Sequence, residues 1–250
     1  MKVIPVPCLS DNYAYVLVDT EGKQVAVIDP VEPEKVLKHV EALGMELTAL
    51  LTTHHHADHS AGNNEVAKAK PGLEIFGGDS RIPSMTKQLK DGEEFTLGSL
   101  HVRAIQTFGH TTSSICYYVQ DKHNDERVVF TGDTLFVGGC GRLFEGTPQD
   151  MYDSLNVKLA ALPRDTKVYA GHEYTNSNFK FARSVDGDNS DLIAKAVRCA
   201  ALPITMPSTI GEELDTNPFM RVDQPALQKA TGKTDPVEVL AAVRKMKDNF

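Results

Sequence analysis

Thr53-His54-His55-His56-Ala57-Asp58-His59 places four of the chain's nine histidines and an aspartate within six residues. Imidazole and carboxylate are ligands for first-row metals, and neutral imidazole suits zinc and iron. The segment follows an apolar run at residues 47–51 that reads as a strand. The histidines are therefore expected in a loop at a strand's C-terminal end. In an extended segment His54 and His56 point the same way. Asp58 and His59, beyond a turn, are expected to face a second site, and His55 to point elsewhere.

Working outward, three more segments share one pattern: a strand, then glycine, then a metal-type ligand. Thr107-Phe108-Gly109-His110 follows the run at 100–105, Thr131-Gly132-Asp133 ends the run at 127–131, and Ala170-Gly171-His172 ends that at 167–170. Glycine lets the chain turn sharply and other groups approach closely. With the first cluster, His55 set aside, this makes five histidines and two aspartates at strand ends, enough for two metal ions with solvent positions to spare. Paired ions sit about 3.5–4 Å apart and commonly share a carboxylate. Asp133 is the natural bridge. His39, His101 and His123 fit none of this and are assigned to surface or packing.

The rest of the first 170 residues alternates strand and helix signals. Runs at 3–6, 13–18 and 24–28 read as strands, the last two joined by a hairpin turn at Thr20-Glu21-Gly22. Residues 33–43 read as an amphipathic helix stopped by Gly44. Further strands are expected at 74–76, 94–97 and 115–119, and helices at 63–70 and 148–162. From about Glu173 strand signals nearly vanish, and 179–185, 190–201 and 235–250 read as helices. An α/β (α+β) layered fold with mixed sheets follows, with a helical domain at residues 174–250 after a catalytic domain at 1–173. At 250 residues the chain buries a large core without staples.

Composition narrows the function. Lys and Arg number 26 against 34 Asp and Glu, a net charge of −8, which argues against a nucleic-acid partner. The longest apolar run, at 13–18, is too short to cross a membrane, which takes about 20 residues. The opening MKVIPVPCLSDNY has no signal-peptide core. Cys8, Cys116, Cys140 and Cys199 form no C-x-x-C pair, so a reducing cytoplasm is expected, and a longer, organelle-targeted form is compatible with this reading; separately, the chain is expected to be a monomer.

The T-H-H-H-A-D-H run with the later Gly-His, Gly-Asp and Gly-His resembles the metallo-β-lactamase superfamily. Gly132-Asp133-Thr134-Leu135-Phe136, Gly139-Cys140-Gly141-Arg142, Glu145-Gly146-Thr147, Gly171-His172-Glu173-Tyr174-Thr175, Asn217-Pro218-Phe219-Met220-Arg221 and Lys247-Asp248 narrow the resemblance to the glyoxalase II (hydroxyacylglutathione hydrolase) family. It runs from Met1 to Phe250 and implies an αββα sandwich followed by a helical substrate-binding domain. It further implies that His54, His56 and His110 hold one metal, that Asp58, His59 and His172 hold the other, and that Asp133 bridges them. Arg142, Phe144, Tyr174, Arg244 and Lys247 would line the substrate site. Glutathione carries two carboxylates, which Arg captures well, and Arg244 and Lys247, three apart, share a helix face. The chain departs from the family where Arg142 replaces a frequent Lys, Phe144 a frequent Tyr, Ser113-Ser114 a usual Gly-His and Phe108 a frequent Pro.

The resemblance implies hydrolysis of S-(2-hydroxyacyl)glutathione, with S-D-lactoylglutathione the leading substrate, to glutathione and a 2-hydroxy acid such as D-lactate. Two divalent ions, Zn(2+) with Fe or Mn as alternatives, would activate water, and Asp58 and Asp133 would be the catalytic carboxylates. Three rivals stand beside it: a mononuclear iron persulfide dioxygenase, another hydrolase such as a lactonase or β-lactamase, and a non-catalytic metal-binding module. The complete second ligand set argues against the first, the basic tail pair against the second, and a two-metal ligand set with an open solvent position against the third. Cys140, in a glycine-rich loop, is an alternative nucleophile, but no base is paired with it by spacing.

Overall fold

The computed structural model describes residues 1–250, which divide into two compact units. The first comprises Met1–Gln106 and Ser113–Gly132, the second Thr107–Thr112 and Asp133–Phe250.

The first unit opens with β1 (Lys2–Cys8), β2 (Asn12–Asp19) and β3 (Gln24–Ile28), then α1 (Pro33–Leu43), β4 (Glu46–Leu51), α2 (Ala57–Ser60), α3 (Asn63–Ala69), β5 (Glu74–Gly77) and β6 (Lys87–Gln88). These strands form one sheet in the order β1-β2-β3-β4-β5-β6. The hairpins β1–β2 and β2–β3 are antiparallel, while β3, β4, β5 and β6 run parallel. β7 (Glu94–Leu97), β8 (Leu100–Gln106), β9 (Ile115–Asp121) and β10 (Glu126–Gly132) follow as an antiparallel meander in a second sheet.

Every residue of β2 is buried, because both of its faces are covered. Ala14, Val16 and Val18 pack with Val25, Val27, Val36, Val40, Leu50 and Val66 in a core shared with α1 and α3. On the opposite face Tyr15 meets Phe130 of β10 at 5.4 Å between ring centres. The result is a helix–sheet–sheet stack. Asp19 at the end of β2 fastens the two sheets, accepting hydrogen bonds from Ser99 N (2.6 Å) and Ser99 Oγ (2.8 Å) in the β7–β8 turn.

The second unit carries the short hairpin β11 (Leu135–Phe136) and β12 (Gly139–Cys140), then α4 (Pro148–Tyr152), β13 (Lys167–Ala170), α5 (Thr175–Val185), α6 (Ser190–Ala200), β14 (Ser208–Thr209), α7 (Ile210–Thr216), α8 (Pro225–Thr231) and α9 (Pro236–Asp248). The fold is thus α+β with helices dominating the C-terminal part. Thr147 caps α4 in a reciprocal capping box with Asp150. The helix expected over 148–162 is α-helical only to Tyr152. It then widens into a π-helical segment, Asp153–Leu159, and ends there. α7, α8 and the strand β14 have no counterpart in the sequence reading. Each is short, and the buried Glu213 and Thr216 of α7 give it no apolar periodicity to read.

Candidate metal centre

In the first unit β3 and β4 lie side by side and parallel, so Asp29 and the Thr52–Thr53 step leave the sheet at the same edge. Asp29 adopts a left-handed conformation, φ +47°. Its Oδ1 accepts from Thr53 N (2.8 Å), and its Oδ2 accepts from Thr53 Oγ1 (2.6 Å) and His59 Nδ1 (3.0 Å). Because the Thr53 hydroxyl proton goes to Asp29, Thr53 Oγ1 accepts from His54 Nδ1 at 3.0 Å. One carboxylate therefore fixes the tautomer of both His54 and His59, leaving each Nε2 as an unprotonated donor. Asp29 was not singled out in the sequence. It shares the strand-then-carboxylate signal of Asp133 but lacks the glycine.

Within this unit candidate donors lie close together. His54 Nε2 lies 3.1 Å from His56 Nδ1, and His59 Nε2 lies 3.6 Å from Asp58 Oδ2. Around a tetrahedral ion with bonds of about 2.0–2.1 Å, neighbouring ligand atoms stand roughly 3.3 Å apart. The spacings match ligands of one ion better than ordinary hydrogen bonds. His54 and His59 are buried, while the Asp58 carboxylate stays accessible. Asn12 Nδ2 steadies Asp58 through its Oδ2 (3.1 Å) and its carbonyl (3.0 Å). Asp58 and His59 lie in the helical turn α2. His55 turns away toward Asp79 Oδ2, at 3.6 Å. Ser113 Oγ, one of the departures from the family pattern, donates to that same oxygen at 2.5 Å.

The second unit holds the remaining donors. His110 Nδ1 donates to the Arg142 carbonyl at 2.9 Å, so its Nε2 is likewise unprotonated and lies 3.6 Å from Asp133 Oδ2. His172 Nε2 stands 3.4 Å from the same oxygen. One carboxylate oxygen flanked by two imidazole nitrogens at these distances fits a shared metal ligand. The glycines before two donors are required. Gly109 has φ +133° with Met151 filling the space of a side chain, and Gly132 has φ +47°, where a Cβ would fall 2.4 Å from Thr53 Oγ1.

His110 and Asp133 open into a cavity of about 630 Å³ lined within the same unit. Arg142, Phe144, Tyr174, Arg244 and Lys247 all line it, along with Cys140, Asp248 and Phe250. Tyr174 stacks on His172, 4.6 Å between ring centres and 9° between planes, and Phe144 meets His110 edge-on at 5.3 Å. Arg244 is buried. Its Nη1 donates to the Cys140 carbonyl (2.7 Å), its Nη2 donates to Asp248 (3.0 Å), and its Nε has no partner. Lys247 Nζ donates to the Ser177 carbonyl at 3.3 Å. Burial, with Arg244 and Arg142 nearby, holds the Lys247 ammonium below the ordinary lysine value. The Cys140 thiol is pushed up to about 11 by burial, against the pull of Arg244, which weighs against a nucleophilic role. The other three cysteines are buried as well, and none is in a disulfide.

Residues 10–75 and 70–172 match the family model "Metallo-beta-lactamase superfamily", and residues 173–250 match "Hydroxyacylglutathione hydrolase C-terminus". Over its whole length the chain is 45% identical to the cytoplasmic hydroxyacylglutathione hydrolase of Arabidopsis thaliana, covering 99% of that protein. It belongs to the hydroxyacylglutathione hydrolase family. A hydroxyacylglutathione hydrolase from a Synechococcus strain is 47% identical, with both chains covered completely. Among solved structures, ETHE1 from Myxococcus xanthus superposes with a TM-score of 0.69 at 27% identity, covering 99% of this chain and 98% of that one. The BLEG-1 B3 metallo-β-lactamase, 23% identical, superposes with a TM-score of 0.65 over 88% of this chain and 99% of its own, which establishes the shared fold. No helix of this family member is long and apolar enough to cross a membrane.

Proposed function

We propose that this chain hydrolyses S-(2-hydroxyacyl)glutathione thioesters, S-D-lactoylglutathione foremost, to glutathione and the 2-hydroxy acid, using two divalent metal ions. The cavity carries the reading: basic Arg142, Arg244 and Lys247 line the same space as the metal-type donors His110 and Asp133. In a chain of net charge −8, such a basic lining suits a substrate bearing two carboxylates.

His54, His56 and His110 are assigned to one ion, Asp58, His59 and His172 to the other, and Asp133 to both. An all-nitrogen-and-oxygen ligand set suits Zn(2+) and admits Fe and Mn. When bound, two such ions lower the pKa of water and polarise the thioester carbonyl. Asp58, held by Asn12 and open to solvent, orients the attacking water. Arg142, Tyr174, Arg244 and Lys247 fix the glutathione portion, and Phe144 supplies an apolar wall in place of a hydroxyl. The departing thiol has a pKa of about 8.5, so it leaves as thiolate without a strong general acid. Residues 1–173 carry all the assigned metal donors and 174–250 most of the substrate contacts, in a cytoplasmic monomer.

The test is release of free thiol from S-D-lactoylglutathione, with metals counted on the same sample. Two metals per chain and thiol release support the proposal. Oxygen consumption with a single iron, or hydrolysis of lactones or β-lactams in its place, would overturn it.

A further inference from the structure

Glu213 lies on α7 and is fully buried, away from the cavity lining. Nothing in the proposed reaction uses it. Four donors converge on its two oxygens. Oε1 accepts from Lys195 Nζ (2.7 Å) and Ser208 Oγ (2.5 Å). Oε2 accepts from Gly138 N (2.8 Å) and Asn217 Nδ2 (2.9 Å). Only a carboxylate offers acceptors on both sides; an amide must turn its NH2 toward one pair of donors.

What Glu213 grips is the turn of the β11–β12 hairpin. Gly138 has φ +67°, and a Cβ there would fall 2.7 Å from the Phe179 ring. Asn217 Nδ2 also reaches the carbonyls of Phe136 (3.2 Å) and Gly139 (2.9 Å), and Asn178 Nδ2 donates to the Val137 carbonyl at 3.1 Å. Residues 136–139 are thus held by buried side chains. The chain then runs directly to the cavity wall. A Cβ on Gly141 would fall 2.0 Å from the Asp133 carbonyl oxygen, and the Arg142 carbonyl accepts the Nδ1 proton of His110.

We propose that Glu213 is a positioning residue, whose carboxylate clamps the β11–β12 hairpin and thereby sets both the Cys140–Gly141–Arg142 cavity wall and the carbonyl that orients His110. Lys195, 2% exposed, supplies the buried counter-charge beside this carboxylate. Losing a partner that orients a metal ligand commonly costs 10–100-fold in metal affinity or activity. The same clamp fixes where Arg142 meets substrate.

Glu213→Gln tests this. Thermal midpoint, KM and kcat for S-D-lactoylglutathione, and the rate of metal loss to a chelator are measured together. We expect KM to rise roughly tenfold and metal loss to quicken about 10–100-fold. Adding Lys195→Met lets the Gln amide donate to Ser208 while its oxygen faces Gly138. That double variant is expected to return both quantities to within about threefold of wild type. Leu192→Ala, an apolar truncation on α6, supplies an equally destabilised control whose KM and chelator rate stay unchanged. Wild-type values in folded Glu213→Gln, no rescue in the double variant, or the same changes in the control would each overturn the inference. Should Glu213→Gln not fold, Asn217→Ser reads the same quantities without unpairing the charges, and unchanged values there also overturn it. The inference rests on His110 as a metal ligand, and His110→Ala separates the two failures. Retention of both metals there sinks the ligand assignment. Metal loss there with unaltered Glu213→Gln sinks the clamp alone.

Discussion

At the scale of the residue, Asp133 and the basic pair of α9 make the sharpest demands. Asp133 is assigned to both ions, so Asp133→Ala should leave at most one metal per chain. It should also lower kcat by about a thousandfold or more, the several kcal/mol that bound metal supplies to a transition state. Metal analysis beside single-substrate kinetics checks it, and two retained metals with near-normal turnover would refute the bridging role. Lys247→Ala should raise KM about tenfold, the lower end of a charge-assisted hydrogen bond, with kcat nearly constant. The effect should shrink as salt rises. Arg244→Ala should do more, because Arg244 also secures the Cys140 carbonyl. A lowered thermal midpoint is expected there and not in Lys247→Ala. The candidate donors stood out in the sequence because few residue types bind metals and most of them lie just beyond a strand. Asp29 was not. Its role depends on a left-handed backbone and on two histidine tautomers, neither of which leaves a sequence pattern.

At the scale of the element, Asp19 joins two sheets through one carboxylate. Burial pushes its pKa up, but hydrogen bonds from Ser99, Gly22 and Glu21 outweigh this and hold it below the ordinary value of 3.8. A depressed native pKa contributes stability that is fully present above the unfolded value and is lost as pH falls through the folded one. The thermal midpoint should therefore drop as pH falls below about 4, and Asp19→Asn should flatten that drop. The same variant should cost about 1–3 kcal/mol at neutral pH, where buried donors lose a charged acceptor. A midpoint at pH 7 equal to wild type would remove Asp19 from this role. Strands and helices with clean periodicity were legible here, β7 and α1 to the residue. The 148–162 segment was legible only as helical, since its apolar spacing does not distinguish an α turn from the wider π turn that Asp153–Leu159 adopts. α7 was illegible for a different reason: after Ile210 its buried side chains are a glutamate and a threonine, which no hydrophobic pattern marks.

At the scale of the whole molecule, metal binding and stability should be linked. A ligand that binds only the folded state stabilises it by about 2.7 kcal/mol at a hundredfold excess over its Kd. Chelation should accordingly lower the thermal midpoint by several degrees, and zinc should restore it together with activity. A midpoint indifferent to chelation, with metal loss verified, would argue that the donors bind nothing. The four buried cysteines carry one more implication. An enzyme that liberates a thiol at every turnover works amid that thiol and its oxidised dimer. Exchange requires an accessible thiolate. Cys8, Cys140 and Cys199 have their pKa raised by burial, and Cys116 is wholly enclosed. Glutathione disulfide should therefore find no partner on the native protein. Intact mass after incubation should show no glutathione adduct until denaturant is added, and the catalyst should keep working while the redox state of its surroundings swings.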